Sequence, residues 1–102
     1  MSDDREELDQ ALAEMRGEYA AALPEKLARI ESLWRDIAAG APKDQDLLRV
    51  VHSIAGAAGT FGLPGVGAAA LQLEEALKSS RDPTLISRAI ARLLTVSRTA
   101  LA

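Results

Sequence analysis

At 102 residues the chain suits a single domain, and with about half of them hydrophobic it can fill one small core. The absence of cysteine excludes a disulfide framework, thiolate metal sites and a cysteine nucleophile. A net charge of -3, with Lys and Arg interspersed among acids, argues against nucleic acid as a partner, because a phosphate backbone requires a concentrated basic face.

Gly and Pro divide the chain into five predicted helices, over residues 3–21, 24–39, 43–61, 64–79 and 83–101. Ser2 or Asp3 is placed to cap the first, whose apolar stripe is Leu8, Leu12, Met15 and Tyr19. Pro24 suits the first turn of the second, in which Leu27, Ile30, Trp34 and Ile37 repeat at helical spacing. Spacing alone leaves open whether Pro24 separates two helices or kinks one long one. The third helix starts near Pro42–Asp44, with Gly62 as its stop. Leu63-Pro64 launches the fourth, with the stripe Val66, Ala70, Leu73 and Leu77. Asp82-Pro83, a cap followed by a first-turn proline, opens the fifth, with Leu85, Ala89, Leu93 and Val96 on one face.

Aromatic residues are only Tyr19, Trp34 and Phe61, while Ala and Leu, the best helix formers, are abundant. The expected fold is therefore all-α, an antiparallel up-and-down four-helix bundle with an additional N-terminal helix packed across it or capping one end. No apolar run is long enough to cross a bilayer, and the acidic start Asp3-Asp4-Arg5-Glu6-Glu7 is the reverse of a signal peptide's basic one. A cytoplasmic protein without membrane contact is expected.

The lone histidine lies in the third predicted helix. At about 100° per residue, Leu47, Val50, Val51, Ile54, Ala57, Ala58 and Phe61 share one side, and His52 projects opposite its middle. The imidazole should therefore face water. Gly56 and Gly59 follow one and two turns on, although each interior glycine costs a helix about 1 kcal/mol relative to alanine. With Ser53, Ala55 and Thr60 also small, the residues beside His52 form a low shelf open to another protein's backbone. Tight packing against the first helix is the competing explanation for the two glycines. Gln45 and Arg49 share the histidine's side and are placed to contact an anion on the ring.

Imidazole is a good nucleophile, and a neutral ring nitrogen is available near pH 7. No partner acid or base stands at a fixed spacing, and Glu74 and Glu75 are expected to be solvated helix residues. A metal site is not expected, since no second histidine and no cysteine exists. What remains is a nucleophile that needs another protein's active site. A phosphorylated ring adds about two negative charges, which Arg49, Gln45, Ser53 and Thr60 are placed to offset.

The run His52-Ser53-Ile54-Ala55-Gly56-Ala57-Ala58-Gly59-Thr60-Phe61-Gly62-Leu63, followed by Leu73-Glu74, resembles the signature of histidine-containing phosphotransfer (HPt) domains. The resemblance covers roughly residues 48–77; the flanking helices agree in length and order. It implies a four-helix bundle with an exposed phosphoacceptor histidine, here His52. It also implies a relay to or from receiver-domain aspartates of response regulators or hybrid histidine kinases, and Gly56 as the residue that admits the receiver. By the same resemblance the metal ion belongs to the receiver and no cofactor is expected. Many HPt domains carry a lysine where this chain has Ala55; Arg49 is the expected substitute.

These expectations describe a monomeric relay intermediate, not a self-sufficient enzyme. The alternative is a helical adaptor or inhibitor that docks on a receiver or kinase without carrying phosphate. A bundle used for oligomerisation is a third reading. Leu48 and Leu71, partly exposed on their wheels, suit either receiver docking or self-association.

Overall fold

The computed structural model describes residues 2–102, with side chains from residue 3. Four helices account for nearly all of it: α1 (Ser2–Ala38), α2 (Asp44–Ala57), α3 (Pro64–Ser79) and α4 (Pro83–Leu101). No strand is present among the described residues. The capping role expected of Ser2 rests on a side chain outside them, and Asp3 lies within the first turn of α1.

The two helices expected over 3–21 and 24–39 are one. Pro24 sits inside α1 on its exposed side. A mid-helix proline removes one backbone hydrogen bond and crowds the carbonyl four residues back. Continuity prevails because Tyr19, Leu23, Leu27, Ile30 and Leu33 carry one apolar stripe through the proline, and from Leu23 onwards that stripe is buried in the bundle. The additional N-terminal helix is thus an extension of the first bundle helix.

Each helix end has a local cause. Gly40, at φ +101°, closes α1, and Lys43 ties the following connection back to Asp36 at 2.8 Å. Asp44 and Asp46 occupy the first turn of α2, where carboxylates oppose the positive end of the helix dipole. α2 stops at Ala57, a turn earlier than the expected 61, and the chain turns through Gly62 at φ +86°, with Leu63 N donating to Ala58 O at 2.8 Å. Pro64 opens α3. Asp82 caps α4 by accepting from Thr84 N at 3.0 Å, with Pro83 in the first turn.

The helices touch in a ring, α1 to α2 to α3 to α4 and back to α1, but α1 and α4 meet only over a short stretch. The core is filled by Leu23, Ile30, Leu47, Ile54, Leu73 and Leu93. Residues 3–18 of α1 lie beyond it, so the expected packing of an N-terminal helix across the bundle is absent. α1 emerges beside the α2–α3 turn, where Tyr19 stacks on Phe61 with ring centroids 4.9 Å apart and Arg16 lies against Gly62. The Tyr19 hydroxyl has no hydrogen-bond partner, and burial raises its pKa above the ordinary phenol value. At 37 residues, α1 sets the 57 Å long axis of the molecule.

The packing of α3 against the end of α2 and the turn after it depends on Gly67. A Cβ there would stand 3.3 Å from the Gly59 backbone nitrogen and 3.7 Å from the Ala58 Cβ. Gly56 and Gly59, by contrast, have nothing within 4 Å of where a Cβ would be, so packing against the first helix does not account for them. Opposite effects on stability follow. Gly67→Val should destabilise the fold by about 1–3 kcal/mol through overpacking. Gly56→Ala should stabilise it by about 0.5–1 kcal/mol through helix propensity. Urea denaturation of the two variants measures both.

Candidate functional site

The core stripe of α2, Leu47, Val51, Ile54 and Ala58, is buried, and this places His52 on the outer side. Its side chain is 71% exposed. The ring is nonetheless held from one side. Nδ1 contacts Oε2 of Glu74, an α3 side chain only 8% exposed. An ionised carboxylate can only accept hydrogen bonds, so in this pair Nδ1 carries the hydrogen. The lone pair of the neutral ring then sits on Nε2, at the other end of the imidazole.

This corrects two expectations. Glu74 is not a solvated helix residue but a buried one, and His52 does have a partner acid. The partner comes from the next helix, 22 positions away in the chain. Burying a carboxylate is costly unless it is paired and hydrogen-bonded. His52 supplies the hydrogen bond, and Lys78, one turn further along α3, places its ammonium 3.7 Å from the same Oε2. Glu75, its neighbour in sequence, is exposed.

His52, Glu74 and Lys78 share a shallow depression of about 190 Å³ with Gln45, Leu48 and Arg49. Arg49 extends into solvent one turn before the histidine and is 3.4 Å from Asp46, a surface pair too exposed to hold it firmly. Leu48 is half-buried, and with Gln45 it also borders a larger cleft of about 590 Å³ that opens towards Trp34 and Leu77.

The remaining expected residues lie outside the depression. Ser53 is exposed, but its hydroxyl donates to Val50 O at 2.7 Å, which commits its one hydrogen to its own helix. Gly56 lies on the exposed side of α2, beyond His52. Gly59 and Thr60 occupy the turn after it, also exposed. Ala55 is half-buried on the flank towards α3, where its carbonyl oxygen would be 3.9 Å from a Cβ on Gly67. Among the described residues no group of three or more His, Asp or Glu could hold a metal ion, and no helix is long and apolar enough to cross a membrane.

Sequence reasoning overlooked Glu74 and Lys78 as site residues. A signal existed: on the α3 wheel Glu74 falls between Ala70 and Gly67, at the edge of the buried stripe, and Lys78 follows one turn later. A carboxylate on the edge of an apolar face beside a glycine is a candidate for pairing with the neighbouring helix.

The tautomer assignment is open to direct measurement. Imidazole ¹⁵N shifts recorded where the ring is neutral should report its hydrogen on Nδ1, and Glu74→Ala should move the population towards the Nε2–H form while circular dichroism stays unchanged. An identical tautomer ratio in both proteins would remove Glu74 from the site.

Compared with known families, residues 1–100 match the model of the Hpt domain. Neither comparison with curated proteins nor comparison with solved structures found a significant match.

Proposed function

This chain belongs to the Hpt domain family, whose members are phosphotransfer modules of phosphorelays that work with receiver domains, and we propose that His52 is its phosphoacceptor. The observation that carries this reading is the pairing of an exposed imidazole with a buried carboxylate on Nδ1 alone. The Nε2 lone pair attacks the phosphorus of a receiver aspartyl phosphate. The N–P bond forms, the P–O bond to the aspartate breaks, and the carboxylate leaves with the bonding electrons. The reverse sequence returns the group to a receiver. As Nε2 gives up its lone pair the ring gains positive charge, and the Glu74 carboxylate on Nδ1–H stabilises it. Glu74 is thus a positioning residue that also fixes which nitrogen reacts.

The transferred group brings about two negative charges. Two cations border the same depression, Lys78 on α3 and Arg49 on α2, with Gln45 as a neutral donor. We assign the role of the lysine missing at Ala55 to this pair. A carboxylate so close to the phosphate would repel it if it were free. Glu74 is buried, and His52 and Lys78 both approach its Oε2, which limits that repulsion. The open backbone at Gly56, the small Ala55, the exposed Gly59 and Thr60 beyond, and the half-buried Leu48 form the proposed receiver-docking surface around the ring.

Incubation with a phosphorylated receiver or an active kinase should give an acid-labile phosphoprotein, and His52→Gln should abolish it. Receiver binding that survives this substitution, with no phosphate ever transferred, would instead establish the adaptor reading. Glu74→Ala should slow phosphoryl acceptance by about tenfold to a hundredfold at unchanged receiver affinity.

Lys78→Ala and Arg49→Ala should each shorten the phosphohistidine lifetime and flatten the salt dependence of transfer, measured by loss of ³²P from the isolated phosphoprotein. A lifetime unchanged in the double variant would remove both from the phosphate's surroundings.

A further inference from the structure

The apolar stripe of α1 does not stop where the bundle stops. Leu8, Leu12 and Met15 continue the face that Tyr19, Leu23 and Ile30 turn towards the core, yet they are 59, 38 and 46% exposed. This overhang is strongly acidic. Seven of residues 3–18 are Asp or Glu, and only Arg5 and Arg16 oppose them, a balance of -5. Residues 19–102 hold eight acids and ten bases, a balance of +2, so the chain is acidic on its overhang and basic on its bundle.

The bundle carries the complement of the overhang. α4 has three arginines, Arg88, Arg92 and Arg98, and no Asp or Glu. Where α4 meets α1 only briefly, a groove of about 310 Å³ remains, floored by Pro24, Leu27, Leu94 and Leu101, with Arg98 at its rim, 3.8 Å from Glu31 of α1. It lies at the end of the bundle from which the overhang emerges. Arg88 and Arg92 are exposed further along the same helix. An apolar groove beside an acid-free, arginine-bearing helix matches an apolar helix flanked by carboxylates.

We propose that the occupant is a second copy of this chain. Two copies pair antiparallel about a two-fold axis. Each lays its overhang in the other's α1–α4 groove, so that the same contact is made twice and closes. Leu8, Leu12 and Met15 cover the groove leucines, and the carboxylates of the overhang meet the α4 arginines. The His52 depression lies on the α2–α3 edge, away from this contact, and stays open. The dimer replaces the monomer expected from the sequence, and it does not depend on what His52 does.

Sedimentation equilibrium of the whole chain should give twice its 10.8 kDa mass, with dimerisation weakening as salt is raised. Leu8→Glu/Leu12→Glu should give monomers of unchanged helicity, since both side chains are exposed within one chain. Arg88→Glu/Arg92→Glu should weaken the dimer about tenfold or more. The chain has no cysteine, so Leu12→Cys mixed with Leu94→Cys should form a disulfide between the two variants on oxidation. A wild-type chain that stays monomeric at high micromolar concentration overturns the proposal. So does a dimer that survives Leu8→Glu/Leu12→Glu. Efficient coupling of Leu12→Cys to itself, with none to Leu94→Cys, would show overhang pairing with overhang and overturn the groove assignment.

Discussion

The chemistry proposed for His52 depends on one contact between neighbouring helices, the hydrogen bond from His52 on α2 to the Glu74 carboxylate on α3. A surface histidine on its own is an imidazole free to rotate and to exchange tautomers. Tethered at Nδ1 to a buried acid, it becomes a ring of set orientation with its reactive lone pair directed outward. The acid is held in turn by the packing of α3, where Leu73 beside it is fully buried. Orientation therefore comes from the core, while access comes from the surface.

That arrangement places demands on the interface of α2 and α3. The two backbones must approach closely enough for a glutamate to span them, and Gly67 allows this by leaving room for the Gly59 backbone. Gly56, in the last turn of α2, has a different setting. Gly56 faces open space, so its cost in helix stability has no return in packing within one chain. A helix that gives up stability on its exposed side near its C-terminal end, one turn beyond the chain's one histidine, fits a surface shaped for another protein's approach.

Much of the site and fold was legible in the sequence. The exposure of His52 follows from a helical wheel because the residues opposite, Leu47, Val51, Ile54 and Ala58, are apolar and were bound to face the core. The resemblance of the His52–Leu63 run to HPt domains pointed to the family that residues 1–100 match. The course of α1 was not legible. Proline is a strong local signal for a break, but the buried leucines on either side of it outweigh a single lost hydrogen bond. The position of Leu8, Leu12 and Met15 was missed for a related reason. A wheel reports that a face is apolar, but whether anything lies against that face depends on where the bundle ends.

By itself, then, the sequence determined what is local: helical periodicity, the Asp82 cap, and which side of α2 carries the histidine. These are settled within a few residues by backbone sterics and by the 3.6-residue repeat. Only the tertiary structure decided that Glu74 and Lys78 join His52 and that α1 runs on past the core. Both depend on residues of different helices meeting in space, or failing to meet. No spacing along one helix encodes the depth and register at which it packs on the next.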